Sequence, residues 1–202
     1  MTSSGSTSGA RSRGRPRDRA IDTAVLAATR ELLVEVGCDQ LSMVAIADRA
    51  HVGRPALYRR WPSKTHLVFE AVFGWESMPT PVTEADDSDD WVRRSFAYTL
   101  DLFARPEVKA ALPWLLASLR DHPDLQAVLW KEFGAPGVGL LERTLRAEGH
   151  DAADAALDAN ATMTLIIGAC MIVELLGDRN SGVAERLPGL VRMAARRTPP
   201  AD

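Results

Sequence analysis

The apolar positions of this chain recur along most of its length with a helical period. Ile21, Val25, Ala28, Leu32 and Val36 follow one another at spacings of three and four residues, the mark of a helix with one buried face. Gly37 is placed to end that helix in a left-handed cap. Ser42 then offers an N-cap to a short helix reaching about Arg49, with Ala45 and Ile46 inward. Val52 plugs a turn, and Gly53 caps the next segment. Pro55 falls in the first turn of that segment, where a missing N–H costs little. Leu57 and Trp61, four apart, share its inner face. Pro62 stops it, and Ser63 caps a further helix expected to run to about Trp75.

From Met78 to Asp90 two prolines and a cluster of acids (Glu84, Asp86, Asp87, Asp89, Asp90) predict a solvated loop or linker. Helical spacing then resumes at Trp91 and lasts to about Arg105, with Phe96, Leu100 and Phe103 on one face. Pro106 opens another segment, which Pro113 is placed to split or kink. Asp124 to Glu148 reads as a long helix disturbed by Gly-Ala-Pro-Gly-Val-Gly at 134–139. Asp154 or Asp158 begins a strongly apolar helix that reaches Leu176 and ends at Gly177. Val183 to Arg197 makes a last amphipathic helix. No segment alternates with period two for long enough to make a strand, so the predicted fold class is all-α.

Between Ala161 and Leu176 the only charged residue is Glu174. Such a helix is either buried all round within its own chain or covered by a partner chain. With the helix that follows it, it would form half of a four-helix bundle completed by a second copy.

The charge is unevenly placed. The net charge is −3. Residues 1–66 hold 11 Lys/Arg against 6 Asp/Glu, and residues 67–202 hold 13 against 21. A basic front and an acidic back suit a front that meets a polyanion. Residues 1–17 are rich in Ser, Gly and Arg and read as a disordered basic arm. Such an arm can follow phosphates or enter a minor groove, and Arg15 and Arg17 are its candidate DNA contacts.

Other chemistry is excluded by what is missing. The four histidines, His51, His66, His122 and His150, lie on different segments. His66 and Glu70, one turn apart, read as a helix-surface pair, since the second His of a zinc-peptidase motif is absent. No nucleophile elbow, phosphate loop or dinucleotide fingerprint occurs. Cys38 and Cys170 make neither a disulfide framework nor a metal spacing. The acidic cluster lacks the alternating pattern of a calcium loop. No enzyme, no cofactor and no metal are expected. The longest apolar run, Met163–Cys170, falls short of a membrane span, and the first residues contain no apolar signal region, so the expectation is a cytoplasmic protein.

The run Ile-Ala-Asp-Arg-Ala-His-Val-Gly-Arg-Pro-Ala-Leu-Tyr-Arg-Arg-Trp-Pro-Ser-Lys, Ile46 to Lys64, resembles the DNA-binding domain of tetracycline-repressor (TetR) family regulators. An Ile-Ala pair, a Gly-Val-like turn, a Leu-Tyr pair and a Ser-Lys restart recur in that family in this order. The helix from Asp18 to Gly37 also has the right length to precede them. The chain departs from the common pattern at Gly53, where Ser is usual, and at Arg60, where His is usual.

The resemblance implies a three-helix helix-turn-helix domain over 18–65 and a helical effector-binding and dimerisation domain over 66–202. It places Arg54, Pro55 and Ala56 nearest base edges. Arg54 would take a guanine through O6 and N7, while Pro55 and Ala56 would pack on thymine methyls. Arg59 fits either a base or a phosphate. Tyr58, Arg60 and Lys64 are expected as phosphate positioners, with Ser42 and Lys64 at helix starts that also favour an anion.

Behind Lys64, Phe73, Phe96, Leu100 and Phe103, with Trp114, Trp130, Phe133 and Met163, are candidates for lining a cavity suited to a hydrophobic small molecule. The same side chains would equally fill an ordinary core. The function implied is a repressor that binds a palindromic double-stranded operator as a homodimer, joined through its last two helices, and is released by a small hydrophobic effector. An activator, or a DNA-binding protein without an effector, are the alternatives.

Overall fold

The computed structural model describes residues 19–74, 84–177 and 182–195, and every regular element among them is helical. The first helix, α1 (Arg19–Gln40), buries Val25, Ala28 and Leu32 as the stripe predicts. Val36 is exposed instead, and Leu33 takes its place in the core. Gly37 does interrupt the helix, at φ 74° and ψ 169°. That ψ lies far from a left-handed cap, so the chain kinks there and continues for one more turn, which carries Cys38 into the core. A side chain at Gly37 would meet no neighbour. The requirement for glycine is therefore the positive φ alone.

The next three helices begin and end on the expected residues. Ser42 caps α2 (Met43–Arg49), its hydroxyl accepting the Ala45 amide at 3.1 Å. The turn to α3 (Arg54–Arg60) takes its left-handed residue at His51, φ 54°, and leaves Gly53 in ordinary extended geometry. Trp61 follows α3 in an extended conformation and is buried with Leu57. Ser63 caps α4 (Lys64–Phe73), which stops at Gly74, short of Trp75. Trp75 itself, Arg15, Arg17 and the first part of the expected linker lie outside the described residues.

Helix α5 (Ser88–Ala104) starts earlier than the apolar pattern indicates. Asp87 caps it by accepting the Asp90 amide at 2.7 Å, and Asp89 and Asp90 occupy its first turn, where the helix dipole favours carboxylates. Three of the five acids of the cluster thus form a helix start rather than loop. Pro113 sits inside α6 (Pro106–Leu119) without splitting it.

The disturbed helix resolves into α7 (Pro123–Leu129), one π-helical turn (Trp130–Gly134) and α8 (Ala135–Ala147). The Trp130 ring lies so close over Gly134 that an added Cβ would come within 2.4 Å of it. Asp151, rather than Asp154 or Asp158, caps α9 (Ala152–Leu176). Helix α10 (Val183–Ala195) ends the described chain, two residues before the expected Arg197.

Two groups of helices share one continuous core. In the front group α1 packs on α2, α4 and α6, and α3 packs on α2. In the rear group α9 is surrounded by α5, α8 and α10. Helix α4 belongs to both settings, since it touches α1, α6 and α7. The 65/66 position expected to divide the chain falls inside it.

Helix α9 is 25 residues long, with a mean hydropathy of 1.8 over its most apolar window, so length and composition alone would let it cross a membrane. Counting only the run from Met163 to Cys170 understates it. One face, with Ala159, Ile166 and Cys170, is buried, while Leu157, Leu165 and Ile172 face outward.

Candidate DNA-binding face and ligand cavity

Helix α3 is amphipathic over seven residues. Leu57 is fully buried, which fixes the opposite side outward. Arg54, Pro55, Tyr58 and Arg59 are exposed, and Ala56 is half-buried between them. Among the described residues, the side chains of Arg54, Tyr58 and Arg59 make no hydrogen bond or ion pair, so each is free to meet a ligand. Ser42 is exposed at the start of α2. Its oxygen accepts the Ala45 amide, and its own O–H remains available to an anion.

Two of the expected phosphate positioners are engaged inside the protein instead. The Arg60 guanidinium turns back onto α1, where Nε pairs with Asp22 and Nη1 donates to the Ala56 carbonyl at 3.3 Å. Its side chain is 14% exposed. The Lys64 ammonium donates to the Cys38 carbonyl at 2.8 Å and the Leu41 carbonyl at 3.2 Å. It also lies 4.7 Å from the centre of the Trp114 ring. The Cys38 carbonyl lies in the last turn of α1 and that of Leu41 just beyond it, where a cation is favoured by the helix dipole as well.

We propose that the two side chains hold the head together rather than position phosphates. Lys64→Ala is expected to leave the salt dependence of DNA binding unchanged, where loss of a phosphate contact would flatten the slope by about one. It is expected to cost about 2–3 kcal/mol of stability, because two charge-assisted hydrogen bonds are lost. Salt titration of DNA affinity and thermal unfolding of the same variant check both statements.

Other ties on the DNA-binding head lie among residues the sequence does not single out. Arg49 of α2 makes a bidentate pair with Glu35 of α1, at 2.7 and 2.8 Å, and reaches Glu31 at 3.4 Å. The Trp61 indole N–H donates to Glu70 at 2.6 Å. Glu70 is thus engaged with Trp61, and His66 turns to Ser63 and Asp124 rather than to Glu70.

Behind the head lies a cavity of about 300 Å³ between α4, α5, α6, the α7–α8 segment and α9. Phe73, Phe103, Trp130, Phe133 and Met163 line it, as expected. The remaining three candidates do not. Phe96 is buried in the core, Leu100 packs on the core's edge, and Trp114 sits under the Lys64 ammonium.

Among the described residues, no charged side chain reaches the cavity wall. Its polar groups include Tyr98 and Gln126. The Tyr98 hydroxyl is buried without a partner among the described residues, and desolvation pushes its pKa upward. Gln126 donates its amide to the Leu119 carbonyl at 2.6 Å. Gln126 is polar, so no hydrophobic pattern could have marked it.

A short, exposed, cationic second helix held at a fixed angle by two others is the form of a helix-turn-helix DNA-binding domain. Residues 25–71 match the family model of bacterial regulatory proteins of the tetR family. An uncharacterized HTH-type transcriptional regulator of Mycobacterium bovis is 38% identical over 128 residues, 62% of this chain and 61% of that protein. The matched region thus spans less than two thirds of that relative's length.

Two solved structures share the fold over most of both chains. MexZ, a key repressor responsible for antibiotic resistance in Pseudomonas aeruginosa, has a TM-score of 0.61 at 20% identity. The match covers 90% of this chain and 98% of that one. A variant of TetR from Acinetobacter baumannii, in complex with minocycline, has a TM-score of 0.57 at 22% identity, covering 86% and 96%. Residues 25–71 thus match the tetR family of bacterial regulatory proteins, and most of the chain shares its fold with these solved structures.

Proposed function

We propose that this protein is a transcriptional repressor that binds a two-fold symmetric operator as a homodimer and leaves it when a neutral, mainly apolar molecule fills the rear cavity. The observation that carries the reading is the division of the cations on and beside α3. Arg54 and Arg59 stand exposed, while Arg60 and Lys64 hold the head together. A helix whose outer guanidinium groups are uncommitted, on a frame tied by its other charges, suits major-groove reading.

The dimer is supported by the outer face of α9 and by α10, where Leu190 and Met193 are also exposed. An apolar face of this kind is what a second copy would cover. Within the fold, Glu174 of α9 pairs with Lys109 at 3.2 Å. A charged pair near the end of α9 favours a protein interface over a lipid one.

The cavity supports the effector, being about twice the ~150 Å³ that holds a benzene ring. Its uncharged lining favours a neutral ligand, and Tyr98 offers one polar handle. Phe73 of α4 and Leu129 of α7 both touch the cavity. A ligand wedged there would move α4, and with it α3, away from the spacing of about 34 Å that adjacent half-sites need.

Selection of bound duplexes from a random pool tests the reading. It is expected to return a palindrome, and a cavity ligand that raises thermal stability is expected to release it. Arg54→Ala should cost about 1–3 kcal/mol on the selected site and relax one base position per half-site. Equal loss on unrelated DNA would remove Arg54 from the base-reading set.

A further inference from the structure

Where the DNA-binding head meets the rear domain, three side chains converge that neither DNA reading nor the cavity uses. His66 stands in the first turn of α4, and His122 and Asp124 stand at the corner that opens α7. His66 Nε2 lies 3.0 Å from Asp124 Oδ2, and the two imidazole rings meet edge to face with centroids 5.3 Å apart. One donor atom from each of the three residues lies within 4.8 Å of the others.

We propose that His66, His122 and Asp124 bind a Zn²⁺ ion that clamps α4 to α7.

Two imidazoles and a carboxylate are a nitrogen–oxygen set that suits zinc, with Zn–N and Zn–O bonds near 2.0–2.2 Å and a fourth position for water. Tetrahedral ligands at that radius stand about 3.4 Å apart. The present separations, none above 4.8 Å, lie within about 1.4 Å of that arrangement. Magnesium and calcium, which want oxygen ligands, are disfavoured by the two rings.

The site is also built around its ligands. Ser63 Oγ lies 2.8 Å from His66 Nδ1 and accepts the His66 amide at 3.4 Å. One serine therefore caps α4 and fixes the ring so that Nε2 faces Asp124. Such an outer partner on the far nitrogen is usual for metal-bound histidines. On the other side, Pro123 stiffens the corner between the two ligands, and the His122 amide is held by the Leu119 carbonyl at 3.1 Å. Both free cysteines are buried elsewhere and do not compete for the ion.

The placement gives the ion a mechanical consequence. Helix α4 follows the reading helix after only three residues, Trp61 to Ser63, while α7 carries Gln126 and Leu129 into the cavity wall. A metal bridge between the two helices would resist the displacement through which a cavity ligand is proposed to act.

The test uses the untagged, full-length protein after chelator treatment, titrated with Zn²⁺ against a chromogenic chelator. One equivalent per chain is expected, with a rise in melting temperature, since an ion that binds only the folded state stabilises it. His122→Ala and Asp124→Asn should each weaken binding by at least ~100-fold and abolish the thermal shift, and Ser63→Ala should weaken binding by roughly tenfold. Asp124 is largely exposed, so its isosteric variant keeps the fold and the comparison valid. Zn²⁺ binding of equal strength in the wild type and both ligand variants would overturn the site, as would no binding to the wild type. None of these readouts involves DNA, so they stand apart from the proposed operator binding.

Discussion

A chain carrying both Leu165→Asp and Ile172→Asp is expected to fold normally, to run as a monomer and to lose affinity for a full operator by at least ~100-fold. Both side chains are about half exposed, at 47% and 49%, on the side of α9 turned away from its own core. Replacing them removes little from the packing of a single chain. Across a two-fold interface each change occurs twice, so four carboxylates would enter an apolar contact and face their own copies. Each Leu or Ile covered in such an interface is worth about 1.5–3 kcal/mol, and a desolvated carboxylate adds a larger penalty. In the proposed dimer, operator affinity would depend on both heads, because the second binds at the effective concentration set by the first. Analytical ultracentrifugation and gel shifts on one- and two-half-site duplexes check the expectation. A dimer that survives both substitutions would move the interface elsewhere. A monomer that still holds the full operator at wild-type strength would sink the two-headed mechanism.

The second large effect is on the head itself. Trp61→Ala should lower stability by about 3–5 kcal/mol, as for other buried Trp truncations. In a chain of this size that corresponds to a melting temperature lower by roughly 10 °C. Trp61 is 2% exposed and sits at the junction of α3 and α4. It contributes both the volume that backs α3 and the N–H that satisfies Glu70 at 2.6 Å. Truncation leaves a void and a half-buried carboxylate without its donor. Trp61→Phe keeps most of the volume, so it should lose only the hydrogen-bond share, about 1–3 kcal/mol. Calorimetry on the two variants separates the contributions. Equal losses would show that Glu70 carries the cost rather than packing.

The elements of the head were legible because their signals are local. Ser42, Pro55, Pro62 and Ser63 act within a turn of their own positions. Leu57 and Trp61 declare the inner side of α3 by spacing alone. What the long cations do was not legible in this way. Arg60 and Lys64 have stems long enough to reach either solvent or the carbonyls and carboxylate of α1, and the choice rests on groups 38 and 26 residues away. Helical periodicity says which face a residue leaves from, and says little about where a flexible charge ends.

The rear domain shows the same limit in another form. Phe73, Phe103 and Met163 reach the cavity, whereas Phe96, of equal character, packs in the core. A cavity is a gap in packing, and hydrophobicity does not distinguish its wall from a filled interior. The His66–Asp124 contact joins positions 58 residues apart, so no motif could carry it. The α9 cap falls on Asp151 because its carboxylate accepts the amide of Ala153, while Asp154 and Asp158 stand inside the helix.

The π-helical turn at Trp130–Gly134 sets the phase of everything that follows it. An α-helix advances about 100° per residue, so the extra residue held in this turn decides which side of α8 meets α9. Val138, Leu141 and Leu145 are buried in that register. Removing one residue from the turn would rotate all three out of the core at once. This segment is therefore intolerant of changes in length even where, as at Lys131 and Glu132, the side chains are exposed and open to substitution.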